Sequence, residues 1–115
     1  MTITAIFSNG HTDTYKGNRD VRAAWAIIRK ADGAVVLSGH SLDTDKALKT
    51  ATGNIRTYLA RGEAVEKPTR YAHQIRWYDG LAREHGHKDW KAWYAADQIV
   101  RAEQAKAYTV EVITL

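Results

Sequence analysis

Strand-like alternation over the first 40 residues and again from Tyr108 to Leu115, with three helix-periodic stretches between, predicts an α+β fold. The expected architecture is an antiparallel sheet of about five strands, four amino-terminal and one carboxy-terminal, with three helices packed mainly on one face. A third observation bears on function. Six of the 11 aromatic residues fall between Tyr71 and Tyr94, interleaved with arginine, lysine and histidine. Two adjacent helices cannot easily bury so many rings on single core-facing stripes, so some are expected to face outward.

Each element has a local reason. Ile3, Ala5 and Phe7 alternate with Thr2, Thr4 and Ile6, the pattern of a half-buried strand. Asn9-Gly10, where both residues tolerate positive φ, predicts a two-residue hairpin turn into a second strand that runs to about Tyr15. Lys16-Gly17-Asn18-Arg19-Asp20 breaks that strand. From Arg22 to Lys30, Ala23, Trp25 and Ile27 share one face and Ala24, Ala26 and Ile28 the other. A strand apolar on both sides is expected to be central and covered twice, or covered once and facing a partner. Asp32-Gly33 supplies the next turn, and Ala34 to His40 returns as a fourth strand.

Ser41 or Asp43 can cap the first helix, and Asp45 places negative charge at its amino end. Leu48, Ala51, Ile55, Tyr58 and Leu59 form its expected core stripe, and Gly62 is the expected stop. Residues 63–68 read as a polar linker whose Pro68 suits the first turn of a second helix, about Thr69 to His85, ended by Gly86. A third helix is expected from about Lys88 to Lys106. Tyr108, Val110 and Val112 then alternate with Thr109, Glu111 and Ile113 in a last strand. No repeat interrupts this order, and residues 1–115 read as a single domain.

Composition narrows the function classes. With 44% hydrophobic and 26% charged residues, the chain has the makeup of a globular core and not of a disordered tail. It has no cysteine, which removes disulfides, thiol catalysis and zinc–cysteine sites together. Its apolar runs are too short to span a bilayer, and its start alternates like a strand instead of resembling a leader peptide, so a cytoplasmic protein is expected. The net charge is +4 and uneven: residues 16–61 carry nine Lys/Arg against four Asp/Glu, whereas residues 62–115 carry eight of each. Such a surplus favours nucleic acid or an acidic protein surface as a partner.

Helical geometry sorts the second and third helices into faces. Tyr71, Ile75, Tyr78, Leu81 and Ala82 cover one side of the second helix and are its expected core. His73, Arg76, Gly80 and Arg83 step along the opposite side, with Trp77 beside them. A glycine in that row costs about 1 kcal/mol of helix stability and lets a partner backbone come close. On the third helix Ala92, Trp93, Ala96, Ile99 and Val100 are expected on the sheet, and Trp90, Tyr94, Asp97 and Arg101 on the other side. Trp, Tyr and Arg are the residue types that dominate protein–protein hot spots. The candidate partner-binding set is therefore His73, Arg76, Trp77, Arg83, Trp90, Tyr94 and Arg101. A second set, Arg22, Arg29, Lys30, Lys46, Lys49 and Arg56, would contact phosphates if those side chains converge.

Candidate chemistry is sparse. His85-Gly86-His87-Lys88-Asp89 resembles the beginning of the His-x-His-x-Asp metal motif of metallo-β-lactamase-type hydrolases, although Trp90 stands where the next histidine is expected. The resemblance implies His85, His87 and Asp89 as ligands of a divalent transition metal, and a small metal-dependent nuclease as one possible activity. His40, Asp43 and Asp45 form another polar cluster, whose aspartates capping already explains. No phosphate loop, nucleophile elbow or Ser/His/Asp arrangement is recognisable, and no cofactor is implied.

The stretch Ala23 to Ser41, with a helix after Asp43, resembles the hairpin-then-helix units of small phage and mobile-element proteins, among them the anti-CRISPR proteins. That resemblance implies a non-enzymatic inhibitor docking on a CRISPR effector, blocking its DNA or guide-RNA surfaces or its subunit recruitment. Many such proteins are acidic and imitate DNA. This basic chain departs from that pattern, which directs the expectation to an acidic protein patch or bound RNA. The partner expected is thus a protein or nucleoprotein complex, with direct nucleic-acid contact and a homo-oligomer as further options.

Overall fold

The alternating segments form five strands, β1 (Thr2–Ile6), β2 (Thr12–Lys16), β3 (Ala23–Arg29), β4 (Val35–Ser41) and β5 (Tyr108–Thr114). The helix-periodic segments form α1 (Thr44–Asn54), α2 (Ala72–Glu84) and α3 (Trp90–Ala105). This computed structural model describes residues 2–16 and 20–115; Gly17, Asn18 and Arg19, the middle of the expected break after β2, lie outside the described residues. The chain forms two compact units, one made of the stretch up to Leu59 with Ala105–Leu115, the other of Ala60–Gln104. The α+β mix, with four strands before the helices and one after, is the expected one. The single five-stranded sheet is not: β1 and β2 form their own sheet, and the other three pair in the order β4-β3-β5, all antiparallel.

β3 shows why the strands separate into layers. Residues Ala23 to Ile27 are all buried. Ala24 and Ala26 pack with Ala5 and Phe7 of the β1-β2 hairpin. Two alanines keep that side of β3 low, so a second layer of backbone can lie close to it. α1 packs against β3, β4 and β5, and by strand alternation Ala23, Trp25 and Ile27 point to its side. The first unit is therefore hairpin, sheet and helix, with the doubly apolar strand in the middle layer. Gly39 stands opposite Trp25. A Cβ at Gly39 would come within 2.6 Å of the indole Cζ2, so the ring occupies the space of a missing side chain.

The hairpin is pinned at both ends. Glu111 accepts from the Ser8 backbone N–H (3.0 Å) and hydroxyl (2.9 Å), and Asn9 Nδ2 donates to the Gly33 carbonyl (3.0 Å). At the other end the Tyr15 hydroxyl lies 3.1 Å from the Gly39 carbonyl oxygen and 3.2 Å from Asp13 Oδ2. Burial and the Asp13 carboxylate together push the Tyr15 phenol up to about 12. A phenol raised on folding contributes stability that is whole below its ordinary value of 10.0 and is lost as pH climbs through about 12. Tyr15→Phe should therefore flatten the alkaline fall in the urea midpoint over that window. An unchanged fall would detach hairpin docking from this titration.

The first turn differs from the two-residue form. Gly10 N–H donates to the Phe7 carbonyl and Phe7 N–H to the His11 carbonyl, both at 2.9 Å, with Gly10 at φ 88°. This is a three-residue loop, Ser8-Asn9-Gly10, closed by one left-handed glycine. Asn9 keeps an ordinary φ because its side chain accepts from the His11 N–H (3.0 Å), bracing the turn locally.

Asp43 caps α1, its Oδ1 accepting from the Lys46 N–H at 2.8 Å. Ala47, Ala51 and Ile55 form the buried stripe, whereas Leu48 and Tyr58, expected in the core, are exposed. Small residues face the sheet because Trp25 and Ile27 already fill that side. Past Asn54 the backbone widens into a π-helical turn, Ile55–Leu59, which advances each residue by less than an α-helix does and carries Tyr58 off the stripe.

The second unit has a small core of Val65, Ala82 and Trp93, with Leu81 and Tyr94 against it. α3 is rotated from its expected phase. Its buried residues are Trp93 and Asp97, while Ile99 and Val100, expected in the core, are 68% and 44% exposed. The cause is the loop before α2. Gly62 (φ 55°) and Ala64 (φ 58°) bend the chain so that the N–H groups of Glu63 and Val65 reach the Asp97 carboxylate at 2.7 and 3.3 Å. Arg101 completes the clamp, its Nε 2.8 Å from Asp97 and its Nη2 3.2 Å from the Val65 carbonyl. Pro68 precedes α2 by several residues instead of lying in its first turn, and Tyr71 takes the cap position. No helix among the described residues is long and apolar enough to cross a membrane.

Candidate functional site

α2 presents the expected ridge. His73, Arg76, Trp77 and Arg83 are all exposed on it, and Trp77 leaves 62% of its surface in solvent. Half-buried Tyr78 meets Trp77 edge-on, ring centroids 4.8 Å apart, and braces the base of the indole. Tyr71, expected in the core, is instead exposed and stacks with His73 at 5.8 Å. Between these rings and the end of the helix lies an open depression of about 230 Å³, lined by Arg76, Trp77, Gly80, Leu81 and Glu84. A Cβ built on Gly80 would meet nothing within 4 Å. No internal packing requires that glycine.

The α3 members of the same set stand differently. Trp90 and Tyr94 are half-buried and meet edge-on at 6.5 Å, and each has a lysine over its ring, Lys91 at 5.9 Å and Lys67 at 5.3 Å. Asp97, expected on the outward row, is buried, and Arg101 is engaged in the clamp on it. The cohesive part of the surface is therefore α2: His73, Arg76, Trp77 and Arg83. Leu81 and Glu84, which line the depression, were not singled out as contact residues by sequence. Their signal was their spacing of one turn and two turns from Trp77 along the same helix.

The His85-x-His87-x-Asp89 spacing has a different origin. Gly86 at φ 84° closes α2, with Gly86 N–H donating to the Arg83 carbonyl (3.1 Å) and His87 N–H to the Ala82 carbonyl (2.9 Å). That pair of bonds is a Schellman stop. His85 and His87 stack on Trp93, centroids 4.7 and 6.2 Å away, and Asp89 caps α3 by accepting from the Ala92 N–H at 2.9 Å. Stacking on Trp93 accounts for the two histidines and helix capping for Asp89. Among the described residues no group of three or more His, Asp or Glu side chains is placed to hold a metal ion.

The basic set is divided. Arg22 precedes β3 and Arg29 closes it, so about 23 Å of strand separates them. Arg29 is engaged with Asp32 at 2.8 Å, a contact that with the Ala34 N–H holds the Asp32 carboxyl down at about 2. Lys30 is exposed beside that turn, and Lys46, Lys49 and Arg56 are exposed along α1 and the π turn. Asp43 is occupied as a cap, and His40 lies 4.4 Å from the Tyr15 ring.

No family model, curated protein or solved structure matches the chain. The functional reading rests on its own side chains.

Proposed function

We propose that this protein is a non-enzymatic docking protein, an inhibitor or adaptor, that engages a protein or nucleoprotein complex through the outer face of α2. The observation that carries the reading is Trp77, exposed beside an open Gly80. An indole left in water forgoes a large burial gain, and a glycine inside a helix costs about 1 kcal/mol relative to alanine. Neither cost is recovered within the unit. Both are recovered if another chain covers the site, because tryptophan and arginine around a desolvated pocket supply most of the energy of many interfaces. The anti-CRISPR type, which the hairpin-then-helix build resembles, falls within this reading, with the effector complex as the docked partner.

Two variants test it, one expected to raise stability and one to leave it nearly unchanged, and both expected to weaken binding. Gly80→Ala should raise unfolding free energy by about 1 kcal/mol, since the added methyl meets nothing. Trp77→Ala should leave stability within about 0.5 kcal/mol, as at other exposed positions. Each should weaken, by about tenfold or more, retention of the partner captured by the full chain from a cell lysate with and without nuclease. Retention within twofold for both variants would remove α2 as the docking face. Capture that vanishes with nuclease would identify a nucleic-acid bridge.

A second reading, stand-alone nucleic-acid binding, draws its support from the exposed Lys46, Lys49 and Arg56. It predicts a steep fall in affinity with salt. The division of the remaining cations, and the commitment of Arg29 to Asp32, leave it second.

A further inference from the structure

The acidic side chains of Ala60–Gln104 are mostly engaged within that unit. Asp79 accepts from the Trp90 N–H (3.0 Å), Asp89 from the Ala92 N–H (2.9 Å) and Glu63 from the Trp93 indole (2.7 Å), while Asp97 holds the loop. Glu103 is engaged as well. The cations are used differently. Among the described residues, the side chains of Arg61, Arg70, Arg76, Arg83 and Lys88 enter no hydrogen bond or ion pair. Only two carboxylates of the unit, Glu66 and Glu84, share that condition. A near balance of formal charge thus conceals a surplus of free positive charge. Arg76 and Arg83 carry it along α2, seven residues or about 10.5 Å apart.

The depression narrows the class of partner. At about 230 Å³ and open, it is smaller than the roughly 300–1,000 Å³ of pockets that enclose a whole small ligand, and suits one apolar side chain. Trp77 and Leu81 give it an apolar wall, which a side chain fills better than a phosphate backbone does. Gly80 offers no Cβ, so a neighbouring backbone can approach the helix surface. A second helix repeats its side chains with the same 10.5 Å interval that separates the two arginines (about seven residues at 1.5 Å each).

We propose, building on the reading of α2 as the docking face, that its ligand is an acidic amphipathic helix of a protein partner. One apolar side chain of that helix enters the depression over Gly80 between Trp77 and Leu81, and carboxylates about two turns apart pair with Arg76 and Arg83. Charge complementarity selects the partner, and the apolar anchor holds it.

The test is selection from a displayed library of helix-forming peptides against the full chain, followed by anisotropy titration of the enriched peptides and of a mixed-sequence duplex oligonucleotide. Enriched peptides are expected to carry Asp or Glu about seven residues apart around an apolar residue. Their affinity should fall about tenfold or more with the double variant Arg76→Glu/Arg83→Glu, and similarly with Trp77→Ala. Replacing the peptide carboxylates by lysine should restore binding to the charge-reversed protein. Enriched peptides that need Trp77 but are not acidic would overturn the acidic helix and leave the docking face standing. Peptides indifferent to Trp77 and to both arginines, or no enrichment over a blank surface, would overturn both. An oligonucleotide that outcompetes the peptides through Arg76 and Arg83 would replace the protein partner with nucleic acid.

Discussion

Asp97→Ala is expected to lower the stability of the Ala60–Gln104 unit by about 3 kcal/mol or more. The side chain is 1% exposed and makes the ion pair to Arg101 and the two loop N–H bonds at Glu63 and Val65. Removing it leaves a guanidinium and two backbone donors without their acceptor, and the cost of breaking a buried pair exceeds what the pair itself is worth. Asp97→Asn keeps the volume but turns an amide toward donors, so it should recover only part of the loss. A urea titration followed by tryptophan fluorescence reads both variants. A loss below about 1 kcal/mol for the alanine variant would mean that the loop is held by something other than this carboxylate.

Trp25→Ala is the counterpart in the first unit, with an expected loss of about 3–5 kcal/mol for a large buried aromatic. The indole is central to β3 and sits in the space left by Gly39, so neither neighbouring strand can collapse to refill it. Its Nε1 finds no acceptor among the described residues. Trp25→Phe therefore removes an unsatisfied donor along with part of the ring, and should cost distinctly less than the alanine change. Thermal unfolding of the two variants gives the comparison. Equal losses would show that the N–H is as well satisfied as the ring is well packed.

The number of strands and helices and their succession along the chain were legible because they rest on periodicity, which side-chain type alone expresses. The central place of β3 was legible for the same reason: its two apolar faces needed two covers. The division into two sheets was not, because nothing in alternation tells a hairpin that extends a sheet from one that lies across it. Ala5, Ala24 and Ala26 carry that information as size, and size was read only as apolarity. On α2 the outward ridge was legible as a row of cations with a glycine, while helical phase placed Tyr71 inward although it is the extended cap residue ahead of the helix. The phase of α3 was missed for a definite reason. Asp97 faces inward to meet the backbone of residues 63–65, and a loop's demand for an acceptor leaves no mark on the helix except one acidic residue among apolar ones. Arg101, one turn further on, was the available hint.

The helix stop at Gly86, the cap by Asp89 and the clamp at Asp97 hold α2 and α3 from their ends and from the inner side. The side chains of Arg76, Arg83 and Glu84 take part in none of these bonds. The ridge is consequently a region where sequence can drift at little thermodynamic cost. Selection acting on whom the protein recognises can rewrite those positions one at a time, with the scaffold beneath left as it is.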